Sequence, residues 1–170
     1  MRKVKLNDIA EYVRNGKSIK NSSDGSGLPI TRIETISDGN FNKNKLGYGG
    51  VNDLSKIGDY WLQDGDILMS HINSPKHLGK SALCTINGER IIHGMNLLCI
   101  RPKQDIVSPK YLNYYFSSND FDRYIKSISN QSVNQASFAA SKLKKLQIPL
   151  PSLDEQKAIV AKLDRAQRLI

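Results

Sequence analysis

Leu6, Ile9, Ala10 and Val13 recur at the three- and four-residue steps of a helix, and Asn15-Gly16 then supplies a C-terminal stop. That spacing predicts one short helix. Residues 20–28, KNSSDGSGL, are a polar Gly/Ser loop. In PITRIETI, residues 29–36, Ile30, Arg32, Glu34 and Ile36 alternate with Thr31, Ile33 and Thr35, which predicts a strand. Residues 37–58 are rich in Gly, Asn and Lys and predict a long loop or a pair of irregular strands. DGDILMS, residues 64–70, gives a turn and then a short apolar strand. SALCTI and RIIH flank Asn87-Gly88, the pattern of a β-hairpin. NLLCIRP, residues 96–102, is another strand, ended by Pro102.

The period then changes. Ser108 can cap a helix that has Pro109 at its first position and Leu112, Tyr115 and Phe116 as its apolar stripe. Phe121, Tyr124, Ile125 and Ile128 mark a second helix. SNQSVNQASFAAS, residues 129–141, is a polar loop leading into a short helix, and LQIPLP is extended because residues before proline avoid the helical region. Ser152 and Glu155 form a capping box for a final helix, with Asp154 and Glu155 at its positive end. Gln156, Ile159, Leu163, Ala166 and Ile170 step through it like a coiled-coil seam. Central strands with helices around them predict an α+β fold: a mixed or antiparallel sheet domain over residues 1–147. Residues 148–170 then form a linker and a separate final helix, whose seam of fewer than three heptads by itself reads as an amphipathic helix packed on its own domain rather than as a coiled coil.

Charge changes the picture. The net charge is +9, and it is not confined to one tail. Arg2 to Lys20 holds six basic and two acidic residues, and Arg101 to Lys145 eight and three. A folded basic surface favours polyanions, either nucleic acid or an anionic membrane surface, and the same charge also serves solubility alone. No apolar run approaches the ~20 residues that span a bilayer, and the basic N-terminus lacks the apolar core of a secretory signal. Cys84 and Cys99 lie in apolar runs, as small buried side chains in a reducing cytoplasm do, and nothing asks for a disulfide.

Catalytic motifs fail on inspection. SPKHLGKS, residues 74–81, has Ser74 where a phosphate-binding loop needs glycine, and a strand rather than a helix follows it. His71, His77, His93 and the cysteines match no zinc spacing. No nucleophile elbow, dinucleotide fingerprint, paired acid and base, or methyltransferase Asn-Pro-Pro-Tyr motif is present. The sequence implies no catalytic residue, metal or cofactor.

LKKLQIPLPSLDEQKAIVAKLD closely resembles the hallmark segment of the specificity (S) subunits of type I restriction–modification systems. VKLNDIAEYVRNGKS, LPITRIETISDG, QDGDILMSHINS with LGKSALC, NLLCIRPKQDIVSPKYLNYYFSS and SVNQASFAASKLKKL resemble further family segments in family order, so the resemblance covers essentially the whole chain. One departure is the loop before the linker, where Ser129, Asn130, Ser132 and Asn134 stand in place of the usual glycine. The resemblance implies a cytoplasmic, non-catalytic target-recognition domain. It would read one half of a split double-stranded DNA target and dock the methyltransferase subunit and, through it, the restriction subunit. By the same resemblance, residues 148–170 would hold the start of a long coiled-coil-type helix that pairs antiparallel with that of a second recognition half. The resemblance also reads the chain as one such half, opening at its own methionine and cut early in its spacer. That would make it an engineered N-terminal fragment or a naturally short half-subunit.

Residues able to meet DNA concentrate in three loops. They are Asn42, Lys43, Asn44, Lys45 and Tyr48 in 41–52; Ser70, His71, Asn73, Lys76, His77 and Lys80 in 70–80; and Asn130, Gln131, Ser132, Asn134 and Gln135 in 130–137. Ile159, Leu163, Ala166 and Ile170 are the candidate subunit interface. Two rival functions remain: a compact DNA-modifying enzyme, and a protein-interaction module working through the last helix.

Overall fold

The two apolar runs at mid-chain, Ile67–Ser70 and Leu97–Pro102, are buried at every position, so each must be covered on both faces. The computed structural model describes residues 1–50 and 53–170. In chain order its elements are β1 (Lys3–Lys5), a single helical turn α1 (Leu6–Ile9), β2 (Ala10–Asn15), β3 (Leu28–Ile30), β4 (Gly47–Gly49), β5 (Ile67–Ser70), β6 (Ile72–Asn73), β7 (Ser81–Leu83) and β8 (Leu97–Pro102). There follow α2 (Pro109–Tyr115), α3 (Asn119–Ile128), β9 (Asn130–Gln131), β10 (Ala136–Ser137), α4 (Ala140–Leu143), β11 (Gln147–Pro149) and α5 (Leu153–Gln167). This is the expected α+β class, with antiparallel strand pairing and flanking helices.

β5 and β8 pair antiparallel at the centre of a four-stranded sheet ordered β2-β8-β5-β7. Side chains alternate across it. Ile67, Met69, Leu98 and Ile100 join Leu112, Phe116, Phe121 and Ile125 in the larger core cluster, under α2 and α3. Leu68, Leu97 and Cys99 join Ile36, Leu62, Ala82, Cys84 and Ile91 on the other face. Each such Ile, Leu or Phe contributes roughly 1.5–3 kcal/mol by leaving water. Cys84 and Cys99 are buried free thiols, and burial raises the pKa of both.

One charge lies inside this sheet. Arg101 donates from Nε to Asp66 Oδ1 and from Nη2 to Asp66 Oδ2, both at 2.7 Å, and from Nη2 to the Trp61 carbonyl at 3.0 Å. Asp66 Oδ2 also accepts from the Gln63 N–H at 2.8 Å. Burial alone would lower the Arg101 pKa; the hydrogen bonds and charge of Asp66 outweigh it and hold the guanidinium above its usual range.

Three local expectations are corrected. The first helix is one turn only, and Ala10–Asn15 is instead a strand paired with β8, with an irregularity between Ala10 and Tyr12. Leu6, Ile9, Ala10 and Val13 are all buried as their spacing demands, but the extra residue at Glu11 lets a bulged strand meet that demand too. Gly16 is no helix stop: a Cβ there would lie 2.0 Å from the Gly94 carbonyl oxygen, so glycine permits a close backbone approach. Of PITRIETI only Pro29 and Ile30 are in a strand, the end of Leu28–Ile30, which pairs with β4. The chain then turns at Ile33–Ile36, where Thr35 Oγ1 accepts from the Arg32 N–H at 2.9 Å.

The third correction is the hairpin at Asn87-Gly88. The turn exists, with φ of 53° and 77° and the Glu89 N–H bonded to the Ile86 carbonyl at 3.1 Å. Its flanks do not pair with each other. β7 is taken by β5, and Ile92 bridges Ile30 and Trp61. The other expected strands and helices stand at Ile67–Ser70, Leu97–Pro102, Pro109–Tyr115 and Asn119–Ile128.

The two ends of the chain meet. β1 pairs with β11, setting Val4 opposite Ile148, and the Leu6 N–H donates to the Leu146 carbonyl at 2.9 Å. Ile148 is part of the larger core. The start of the C-terminal segment is thus fastened to the first strand.

His93 makes stability depend on pH. Its Nε2 lies 2.7 Å from the Leu97 carbonyl, so the proton sits there, while Nδ1 is buried without a partner among the described residues. Burial pushes its pKa down to about 4, with the Leu97 bond only partly opposing. An unfolded imidazole takes its proton near the ordinary 6.5, so the unfolded state binds more protons between those values. Stability is therefore complete above about pH 6.5 and falls as pH drops toward 4, by about 3 kcal/mol in all. His71, lowered by burial, acts in the same direction. The urea midpoint should fall between pH 7 and pH 5, and His93→Gln should flatten that fall. An unchanged slope in the variant would refute this account.

Candidate nucleic-acid interface

Two of the three polar loops meet on one small sheet. β10 lies between β6 and β9, antiparallel to both, with Ala136 opposite Asn73 and Gln131 and Ser137 opposite Ile72 and Asn130. Residues 130–137 are thus a hairpin. Its tip is closed by the Ser132 N–H and Oγ, which donate to the Gln135 carbonyl at 2.7 and 3.1 Å. None of its residues has positive φ, so the turn needs no glycine, which resolves the departure from the family pattern. The base is held firmly. Ala136 and Phe138 are buried, the Phe138 N–H donates to the His71 carbonyl at 3.1 Å, and the two rings meet edge-on at 6.4 Å. Asn130, Gln131, Ser132, Asn134 and Gln135 are all exposed. A shallow cleft of ≈ 360 Å³ runs along Ile72, Asn130, Gln131, Ser132, Gln135 and Ser137.

The 70–80 loop links β5 to β7. The Ser70 N–H donates to the Lys80 carbonyl at 2.9 Å and the Gly79 N–H to the Ser70 carbonyl at 2.8 Å. Gly79 has φ +78°, and a Cβ there would come within 3.1 Å of Ile125, so glycine seats this loop on α3. The expected site residues separate here. Ser70 and His71 are buried and present no side chain outward: Ser70 closes β5 opposite Leu97 of β8, and His71, between β5 and β6, sets its ring against Phe138. Asn73 is occupied locally, donating to Ser70 Oγ at 3.1 Å and accepting from the Ser74 N–H at 2.8 Å. Lys80 Nζ donates to the Ser37 carbonyl at 2.8 Å and lies 3.1 Å from His77 Nδ1. Lys76 is exposed and carries no ion pair among the described residues.

Ser37 stands between the 70–80 and 41–52 loops: its carbonyl accepts from Lys80 Nζ at 2.8 Å and its Oγ from Lys45 Nζ at 2.9 Å. Val51 and Asn52 of the 41–52 segment lie outside the described residues. Asn42 Oδ1 accepts from the Asn44 N–H at 3.0 Å, Lys43 pairs with Glu89 and Lys45 with Asp38, each at 2.7 Å. Hydrogen bonding from Lys45 holds the Asp38 carboxyl below its usual range. Asn44 and Tyr48 are exposed, but Tyr48 stands on the separate β3–β4 ribbon. Among the described residues, eight of the 25 Lys and Arg side chains are ion-paired.

The last helix begins as its sequence requires. The Ser152 N–H donates to Glu155 Oε2 at 2.8 Å, and the Glu155 N–H to Ser152 Oγ at 3.3 Å. Gln156 is fully buried rather than part of a free seam. Its Oε1 accepts from the Ser108 N–H at 2.7 Å, and its Nε2 donates to the Pro151 and Ile106 carbonyls at 2.9 and 3.2 Å. Ile159 also leans on the domain core, so the seam splits: Leu163 and Ala166 are exposed on the helix, whereas Ile170, expected on the same stripe, is exposed beyond the helix's last residue, Gln167. Asp164 faces Lys110 and Tyr114 of α2.

Sequence reasoning passed over two features. Val133, at the hairpin tip, was masked by the amides around it. Arg14, stacked 4.2 and 4.1 Å from the rings of Tyr12 and Tyr60 and bonded to Asp59, depends on residues far apart in sequence and left no local signal.

The whole chain, residues 1–170, matches the family described as type I restriction modification DNA specificity domain. It is 46% identical over 167 residues to a putative type I restriction enzyme MjaX specificity subunit of Methanocaldococcus jannaschii, covering 97% of this chain and 39% of that protein. Its fold is similar to a chain solved in work on complex assembly and conformational transition of the type I R-M system, with a TM-score of 0.71, 22% identity, and coverage of 99% of this chain and 38% of that one. It is also similar to the HsdS subunit from Thermoanaerobacter tengcongensis, with a TM-score of 0.66, 21% identity, and coverage of 99% and 37%. The chain spans about two-fifths of the length of each.

The two loop lysines should behave differently. Lys80→Ala removes the tie between the 70–80 loop and Ser37 and should cost about 1–2 kcal/mol in urea unfolding, with faster amide exchange over residues 37–45. Lys76→Ala should stay within about 0.5 kcal/mol of the native chain. Equal effects would remove the structural distinction between them.

Proposed function

The chain belongs to the type I restriction modification DNA specificity family, and on that premise we propose that it binds double-stranded DNA sequence-specifically, reading one half of a bipartite target. The observation that carries this reading is the 130–137 hairpin, anchored at its base and presenting exposed Asn, Gln and Ser side chains at its tip. A two-stranded ribbon fits the major groove, where Asn and Gln can bond an adenine edge in two places at once. Unpaired lysines and arginines neutralise phosphates and set the register. In this reading the chain is a non-catalytic reader. Methylation and cleavage belong to the methyltransferase and restriction subunits that assemble with it.

Helix α5 is the start of a spacer in the same proposal. Its first turns are fixed to the domain by Gln156, and its exposed Leu163 and Ala166, with Ile170 just past its last residue, meet the antiparallel helix of a second recognition half. That pair would give the methyltransferase subunit its docking surface. Residues 1–147 would then be the recognition domain and 148–170 the linker and spacer start.

Binding should be steeply salt-dependent. With about six phosphates contacted, affinity should fall on the order of a thousandfold between about 50 and 200 mM salt. Lys76→Ala should weaken all duplexes alike and lower the slope by about one. Asn134→Ala or Gln135→Ala should cost ~1–3 kcal/mol on the preferred half-site and little on random DNA. A flat salt response would overturn the reading. Methyl transfer from S-adenosylmethionine, or Mg²⁺-dependent cleavage, by this chain alone would favour the enzyme rival.

The helix divides its seam between two roles. Ile159→Ala should destabilise the domain by about 1–2 kcal/mol, because that side chain packs on the core. Leu163→Asp should leave domain stability within about 0.5 kcal/mol and abolish pairing with the second half, measured by sedimentation of the extended chain. Unfolding of the domain by Leu163→Asp would end the spacer reading.

A further inference from the structure

The hairpin tip carries one side chain that hydrogen bonding does not explain. Val133 is 94% exposed, more than any other large apolar residue away from the chain ends among the described residues. Its exposed neighbours Gln131, Ser132, Asn134 and Gln135 are all polar. A β-branched residue favours the packed interior of a strand, and turn tips ordinarily take Asn, Gly, Asp or Ser. At this exposure the valine gains nothing from the fold. The tip that carries it is nonetheless well placed, since Ser132 and Gln135 close the turn and Phe138 seats the base on His71.

We propose that Val133 is a specificity-determining residue that reads the C5-methyl group of a thymine in the major groove, while the amides beside it bond neighbouring base edges. The assignment rests on the DNA-reading function proposed above. Thymine alone among the four bases shows an apolar group in that groove, and an apolar side chain is its natural contact. Burying the two together releases water from both surfaces. The flanking amides add hydrogen bonds on either side, so one tip can read a methyl and adjacent base edges at once.

The test begins with selection of the preferred half-site from random duplexes by the full chain. Each thymine in it is then replaced singly by deoxyuridine, which removes only the methyl group. At one position the native chain should lose about three- to tenfold in affinity, and Val133→Ser should lose less than about twofold from the same replacement. Equal losses in both proteins at every position, or a selected half-site without thymine, would overturn the assignment. If Val133→Ser weakens binding but shows no coupling to any methyl, the side chain is a wedge between base steps and the thymine reading fails. Retained half-site selectivity without the coupling sinks the Val133 assignment alone. A native chain that binds the selected half-site no better than random DNA sinks the DNA-reading function with it.

Discussion

Arg101 and Asp66 are the one ion pair closed inside the four-stranded sheet, and the layout of the molecule follows from satisfying them. β5 and β8 bury every residue, so a charge on β8 is tolerable only with a full set of partners. Asp66 supplies two parallel hydrogen bonds and the Trp61 carbonyl a third. A buried pair of this kind roughly breaks even against an apolar replacement, so its role is better described as placement than as added stability. It fixes the 61–66 segment against β8 and thereby sets where β5 begins. Tyr12 packs over the Arg101 guanidinium at 4.9 Å and carries the same constraint to β2.

From β5 the constraint runs outward to the candidate reading surface. The chain leaves β5 through buried Ser70 and His71 and immediately forms β6, the edge on which the 130–137 hairpin is built. His71 contributes its carbonyl to the Phe138 N–H and its ring to the Phe138 ring. A residue expected to face DNA instead holds the hairpin that does so in the proposed function. Reading requires side chains held in place before binding, since freezing mobile ones costs affinity. A short ribbon fixed to a close-packed core meets that need better than a free polar loop.

The last helix obeys the same logic at the other end. Gln156 has all its polar partners within the domain, and Tyr111 Oη donates to the Pro149 carbonyl at 2.8 Å, so the entry to the helix is fixed in direction. Beyond Ile159 the contacts pass to Asp164, and Leu163 is left 38% exposed. The domain thus aims the helix, and the pairing of its exposed stripe belongs to the proposed function.

Burial was legible in the sequence, and so were several elements. The apolar runs at 67–70 and 97–102, the Ser108-Pro109 helix start, the Phe121–Ile128 stripe and the Ser152–Glu155 capping box carry their causes within a few residues, in side-chain period and cap chemistry. Pairing was not legible. Asn87-Gly88 made its turn, but which strands lay beside it was decided by β5 and Ile30. The 6–13 stripe buried the right residues in the wrong element, because β8 offered an edge and a bulge reset the alternation. Of the candidate site, the exposed amides of 130–135 followed from composition. The burial of Ser70 and His71, the Lys80–Ser37 tie and the near-complete exposure of Val133 did not. Local chemistry fixes what a residue can do; which partners come within hydrogen-bonding reach depends on contacts far apart in sequence, and only the folded chain makes those.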